Sequence, residues 1–136
     1  MATSVAHEVP LLAGCSPDDA TNGLKWFRPR RFEAGQVMIA ETEPGRDFFL
    51  VLSGTVAVSC GGKFQRLLSG PTFVGEEAML GLGCRSATVK AVTTVEAMVT
   101  GQIGFDELMR LPGVGRSIAA TVATRSRERD GALLSA

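Results

Sequence analysis

Residues 73–89 read FVGEEAMLGLGCRSATV and gather most of the groups in this 136-residue chain that could do chemistry together. Glu76 and Glu77 follow Gly75 directly, Arg85 comes nine positions after Glu76, and Ser86 and Ala87 follow Arg85. A turn at Gly75 lets the backbone approach a ligand closely, because glycine has no Cβ to hold the ligand off. One helical turn over 76–80 points its first N–H groups toward an anion. The Arg85 guanidinium adds a planar fork of donors matched to two phosphate oxygens. A carboxylate repels phosphate, so Glu76 makes sense there only as the acceptor for a hydroxyl beside it. A ribose 2′-OH would do, and the set would then recognise a sugar and a phosphate held together. The plain alternative is a Glu76–Arg85 ion pair on the surface of a hairpin, contributing less than about 1 kcal/mol.

These residues need a frame to position them. From Leu24 to about Gly101, short runs rich in β-branched and aromatic residues alternate with glycine-bearing turns. The runs are KWFRPRRF, QVMIA, DFFLVLS, TVAVS, KFQRLL, SATVKAV and EAMVTGQI. About seven short strands at this spacing predict a β-sandwich or barrel. SCGGK predicts a tight hairpin, with Gly61 and Gly62 taking positive φ. Ahead of the strands, CSPDDATNG predicts a short helix capped by Ser16 and stopped at Gly23. Behind them, Phe105, Leu108 and Leu111 lie at helical spacing, and Val114, Ile118 and Val122 form a second apolar stripe, on a helix of about three turns. The sole tryptophan, Trp26, reads as a packed strand residue, and Arg28, Arg30 and Arg31 as a solvated strand face.

Composition narrows the function. Fourteen basic and fourteen acidic residues give zero formal net charge, so there is no bulk attraction to nucleic acid or to an anionic membrane. The single histidine, His7, is too little for a cupin-like metalloenzyme, which gathers several His and carboxylate ligands. Three cysteines, at 15, 60 and 84, suit neither a disulfide framework nor a zinc site. LLAGC at 11–15 looks like a lipoprotein cleavage site, but no Lys or Arg precedes it and His7, Glu8 and Pro10 interrupt the apolar run. No stretch approaches the roughly 18 apolar residues of a membrane span. The expectation is a cytoplasmic protein with no metal, no cofactor and no membrane contact.

The segment resembles the phosphate-binding cassette of cyclic-nucleotide-binding domains, in their bacterial catabolite-activator-like branch. The residues that carry the likeness are Phe73-Val74-Gly75-Glu76-Glu77-Ala78-Met79, a spacer, and Arg85-Ser86-Ala87-Thr88-Val89. Gly35, the Pro44-Gly45-Arg46-Asp47 turn and the run from Phe49 to Val56 resemble that family's early strands, and VPLLAGCSPDD resembles its leader helix. The likeness covers roughly residues 9–128. It implies a mainly β fold: a double-stranded β-helix (jelly-roll) barrel over about 24–103, a short N-terminal helix, and C-terminal lid helices over about 105–129, all one domain spanning 1–136. It implies that Glu76 accepts from the ribose 2′-OH and that Arg85 pairs with the cyclic phosphate. Gly75, Glu77, Ala78 and Ala87 would offer backbone contacts, and Ser86 its hydroxyl. Arg127 or Arg129 would fall where the lid meets the purine. The function implied is a non-enzymatic sensor of cAMP or cGMP, with the Phe-Val-Gly-Glu run leaning toward cAMP. Its relatives continue into a DNA-binding domain where this sequence ends, so output would pass through a protein partner or self-association, without DNA binding by this chain alone. Two departures bear on affinity. Cys84 stands where many members carry proline, and Glu77 stands where an apolar residue is common. They keep an alternative open: a degenerate, ligand-blind interaction module on the same fold.

Overall fold

The computed structural model describes residues 9–41, 43–81 and 87–135, with the side chains at 126 and 128–135 outside the description. Eight strands form two four-stranded antiparallel sheets. One has the order β1 (Arg28–Phe32), β8 (Val95–Thr100), β3 (Phe48–Ser53), β6 (Thr72–Val74). The other has the order β2 (Val37–Ile39), β7 (Ala87–Ala91), β4 (Thr55–Cys60), β5 (Lys63–Ser69). The eighth strand, β6, is the one the sequence pattern conceals. Its three residues lie between Gly70-Pro71 and Gly75, too few to show a period of two.

The run FFLVLS explains how the layers stack. It lacks polar alternation because β3 is covered on both faces. Phe49 and Val51 point into the space between the sheets, where they meet Phe32, Val56, Val74, Val95 and Val99. Phe48 and Leu50 point the other way, into a second core roofed by helices. There the Phe48 ring has the rings of Phe105, Phe73 and Phe27 around it at centroid distances of 4.9, 5.9 and 6.3 Å. The hairpin at SCGGK forms as its residues require: Gly61 and Gly62 sit at φ 57° and 80° between β4 and β5.

The helices are α1 (Pro17–Leu24), α2 (Glu76–Leu80), α3 (Gln102–Met109) and α4 (Val114–Ser135), with a 3-10 turn at Pro10–Leu12. Ser16 caps α1, its Oγ accepting from the Asp19 N–H at 3.1 Å. Gly23 does not end that helix, which runs on through Leu24. A Cβ at Gly23 would lie 2.6 Å from Leu111 Cδ1, so the glycine lets Leu111 pack closely and does not terminate the helix. Trp26 is not a packed strand residue either. It precedes β1 and is half-exposed, and its backbone carbonyl accepts a 2.9 Å bond from Thr100 Oγ1. Val114 and Ile118 of the second stripe are fully buried against the helical core, and α4 is much longer than three turns. Arg28, Arg30 and Arg31 lie exposed on β1, where Arg31 meets Glu33 and Glu96.

Candidate functional site

The site begins with a forced turn. Gly75 takes φ +94°, and a Cβ there would stand 2.5 Å from the Asp47 carbonyl oxygen. Both facts demand glycine, since an L side chain is strained at that φ and blocked by the neighbouring backbone. The turn sends the chain directly into α2, so that Glu76 is its first residue and faces inward. A second close approach holds α2 in place: a Cβ on Gly45 would overlap that of Ala78. From the other end, Gln102 Nε2 donates to the Met79 carbonyl at 3.2 Å and ties α2 to α3.

Glu76 is buried to 5% exposure, one of two buried polar or charged residues in the described chain. A buried carboxylate needs a partner, and α4 supplies one. Arg125 Nη1 donates to Glu76 Oε1 at 3.1 Å, and Nη2 donates to Thr72 Oγ1 at 3.0 Å and to the Phe73 carbonyl at 2.9 Å. The guanidinium carbon lies 4.7 Å from the centre of the Phe73 ring, within cation–π range. Burial pushes the Glu76 carboxyl above its ordinary value; Arg125 pulls it back down, and the Glu77 charge adds to the rise.

This pair stands in the wall of a cavity of about 220 Å³. Gly75, Glu76, Glu77 and Ala78 line one part of it, and Ala87 at the start of β7, paired with Cys60, lines the sheet part. Glu43 and the Pro44-Gly45 turn also line the cavity. The opposite wall is a sheet surface made by Val58, Cys60, Gln65, Arg66, Leu68 and Val89. Arg66 Nη2 donates to the Arg125 carbonyl at 3.0 Å, which fastens β5 to α4.

Five of the residues singled out in the sequence, Gly75, Glu76, Glu77, Ala78 and Ala87, thus share one cavity. Arg85, Ser86 and Cys84 lie outside the described residues, as does the side chain of Arg129. Arg127 is exposed, donates to Thr124 Oγ1 and does not line the cavity. The arginine of α4 that does line it is Arg125. Helical phase could have found it. Ile118, Val122 and Arg125 fall at i, i+4 and i+7 on one face, whereas Arg127 turns to the opposite side. Glu76 pairs with this helix residue, so the plain reading of it as an exposed surface carboxylate fails. Among the described residues, no group of three His, Cys, Asp or Glu side chains could hold a metal ion. No described helix is long and apolar enough to cross a membrane.

Compared with known proteins, residues 29–111 match the family model for the cyclic nucleotide-binding domain. The chain belongs to that family. The cyclic AMP receptor protein of Thermus thermophilus is 33% identical to this domain over 127 residues, covering 89% of this chain and 59% of the receptor. The solved catabolite activator protein of Thermus thermophilus superposes with a TM-score of 0.76 at 32% identity, over 91% of this chain and 61% of that one. The structure of cAMP-bound PfPKA-R superposes at 0.84 with 19% identity, over 95% of this chain and 45% of that one, a likeness of fold. The domain therefore has the jelly-roll architecture of its family, and it spans about three-fifths of the length of the bacterial receptor it matches.

Proposed function

We propose that this domain is a non-enzymatic regulatory module that binds cAMP or cGMP in the cavity between α2 and the β4–β5–β7 sheet. One observation carries the reading: a buried glutamate, aimed into a cavity by a glycine turn, is held by an arginine from the helix that roofs the same cavity. A carboxylate has about four acceptor positions, so the Arg125 bond leaves capacity for a ribose 2′-OH on Glu76. Gly75, Glu77, Ala78 and Ala87 offer backbone groups beside it. Arg85 and Ser86, by their place in the cassette sequence, take the cyclic phosphate. Arg125, on α4, takes the lid position. Ligand that contacts Glu76 changes the Arg125–Glu76 pair, and the position of α4 shifts by as much as the two states differ in affinity. The setting is cytoplasmic, and output passes to a protein partner or a second copy rather than to DNA.

Calorimetric titration with both nucleotides tests the reading. Absence of heat for both at millimolar concentration points instead to the ligand-blind module. That alternative has one feature in its favour, the second carboxylate, Glu77, in the cavity wall. Arg85→Ala should weaken binding about a hundredfold through the loss of charge-assisted hydrogen bonds. A change within threefold would remove Arg85 from the phosphate.

A further inference from the structure

The cavity holds one carboxylate for which a ribose has no use. Glu77 follows Glu76 on α2 and lines the cavity beside it, half-buried. Among the described residues no hydrogen bond or ion pair holds its side chain. The two arginines in the lining are engaged elsewhere: Arg125 is bonded to Glu76, Thr72 and Phe73, and Arg66 to the Arg125 carbonyl. The charge of Glu77 is therefore uncompensated among the described residues. It also acts inside the site, since it adds to the rise of the Glu76 carboxyl. A third carboxylate in the lining, Glu43, is exposed, so water screens it.

A charge placed there distinguishes two kinds of phosphate. A cyclic phosphate is a diester with one negative charge. A linear nucleoside monophosphate is a monoester that carries close to two at neutral pH, its second pKa being about 6. Both keep the ribose hydroxyl assigned to Glu76, so Glu76 does not separate them. Glu77 repels each in proportion to its charge. One unit charge acting on another across a partly wet cavity is worth roughly tenfold in affinity. We propose that Glu77 is a charge filter: it admits the singly charged cyclic nucleotide and turns away the doubly charged linear nucleotide formed when water opens the phosphate ring. The cyclic ligand itself is then held less tightly than the rest of the cavity would allow. The assignment rests on the cyclic-nucleotide reading above and names what that site refuses.

The experiment is calorimetry on the whole chain with cAMP, 5′-AMP and the 5′-methyl ester of AMP, together with their guanine counterparts. The methyl ester is linear but singly charged, so it separates charge from ring shape. Relative to the native protein, Glu77→Gln should bind the cyclic ligand and the methyl ester about tenfold more tightly, and the linear monophosphate about a hundredfold more tightly. A gain in affinity cannot come from misfolding. Glu77→Asp keeps the charge and should stay within about threefold of the native protein for every ligand. An equal change for all ligands in Glu77→Gln overturns the assignment, as does the absence of any change. So does a Glu77→Asp variant that behaves like Glu77→Gln, which would make side-chain length the cause. Linear ligands that bind neither the native protein nor Glu77→Gln would place the discrimination in the shape of the cavity, and they overturn it too. If no cyclic nucleotide binds either protein, the functional reading itself fails.

Discussion

Arg125→Ala separates a structural ion pair from a stranded charge. The side chains of Arg125 and Glu76 are 17% and 6% exposed, and the arginine makes three hydrogen bonds to Glu76, Thr72 and Phe73. Removing one partner of a buried pair costs about 3–5 kcal/mol, chiefly because the other charge is left without compensation. Glu76 has partial relief, since burial already favours its protonated form. The expected loss is therefore at the lower end, about 3 kcal/mol. For a chain of this size that corresponds to a fall in Tm of about 10 °C. The decisive measurement is the double-mutant cycle in urea near neutral pH. If the cost is a stranded carboxylate, adding Glu76→Gln to Arg125→Ala should restore about 1–2 kcal/mol, because an amide is far cheaper to bury than a charge. The double variant should thus be more stable than Arg125→Ala alone. If Glu76→Gln instead adds a further loss, the pair is not the source of the effect, and the Arg125 bonds to Thr72 and Phe73 carry it.

The pH dependence follows from the same residue. Burial raises the folded-state pKa of Glu76 above its unfolded value of about 4.3. Between the two values the folded state holds a proton that the unfolded state has released. The Glu76 contribution is therefore full below the unfolded pKa and is lost as pH rises through the folded one. Urea melts at several pH values should show that slope, flatter in Glu76→Gln and extended to higher pH in Arg125→Ala; identical slopes in all three would clear Glu76 of the effect. Gly75→Ala should destabilise by about 1–3 kcal/mol from backbone strain, with more from the contact with the Asp47 carbonyl, and should lower nucleotide affinity by turning Glu76. A variant that melts like the native protein would show that the turn tolerates a Cβ. Phe48→Ala should cost about 3–5 kcal/mol, because its ring is fully buried among three others; a loss under about 1 kcal/mol would mean the helical core collapses into the gap.

What could be read from the sequence was what is local. The cassette occupies adjacent positions, and its glycines and charges declare a chemistry without any knowledge of the fold. The strands announced themselves through β-branched runs between glycine turns, although the double coverage of FFLVLS emerged only from the structure. The missing pieces are the long-range ones. Arg125 is 49 positions from Glu76, in a run whose alternating charges look like an exposed helix end; only its phase with Ile118 and Val122 betrays the inward face. Arg66 looks like one more basic residue on an edge strand until β4 and β7 place it beside Val58. Gly23 looked like a helix stop because its close contact with Leu111 involves a residue far along the chain. Trp26 looked like core because size usually implies burial, but here its backbone carbonyl makes the engagement.

The double coverage of β3 has a consequence for how the site keeps its alignment. In most strands a slip by one residue would drive polar side chains into the core and so be forbidden. In β3 the two alternating sets, Phe48 with Leu50 and Phe49 with Val51, are both apolar, so polarity gives little protection against such a slip. Another feature must fix the pairing with β6, which aligns Phe49 with Val74. Gly75 lies immediately beyond that pair and passes so close to the Asp47 carbonyl that only a residue without a side chain can stand there. Sliding β6 by one position would bring Val74 or Glu76 to that spot, and neither fits. The glycine that opens the cavity thus also acts as an indexing notch, locking the angle at which Glu76 enters the site to the register of the strand beneath it.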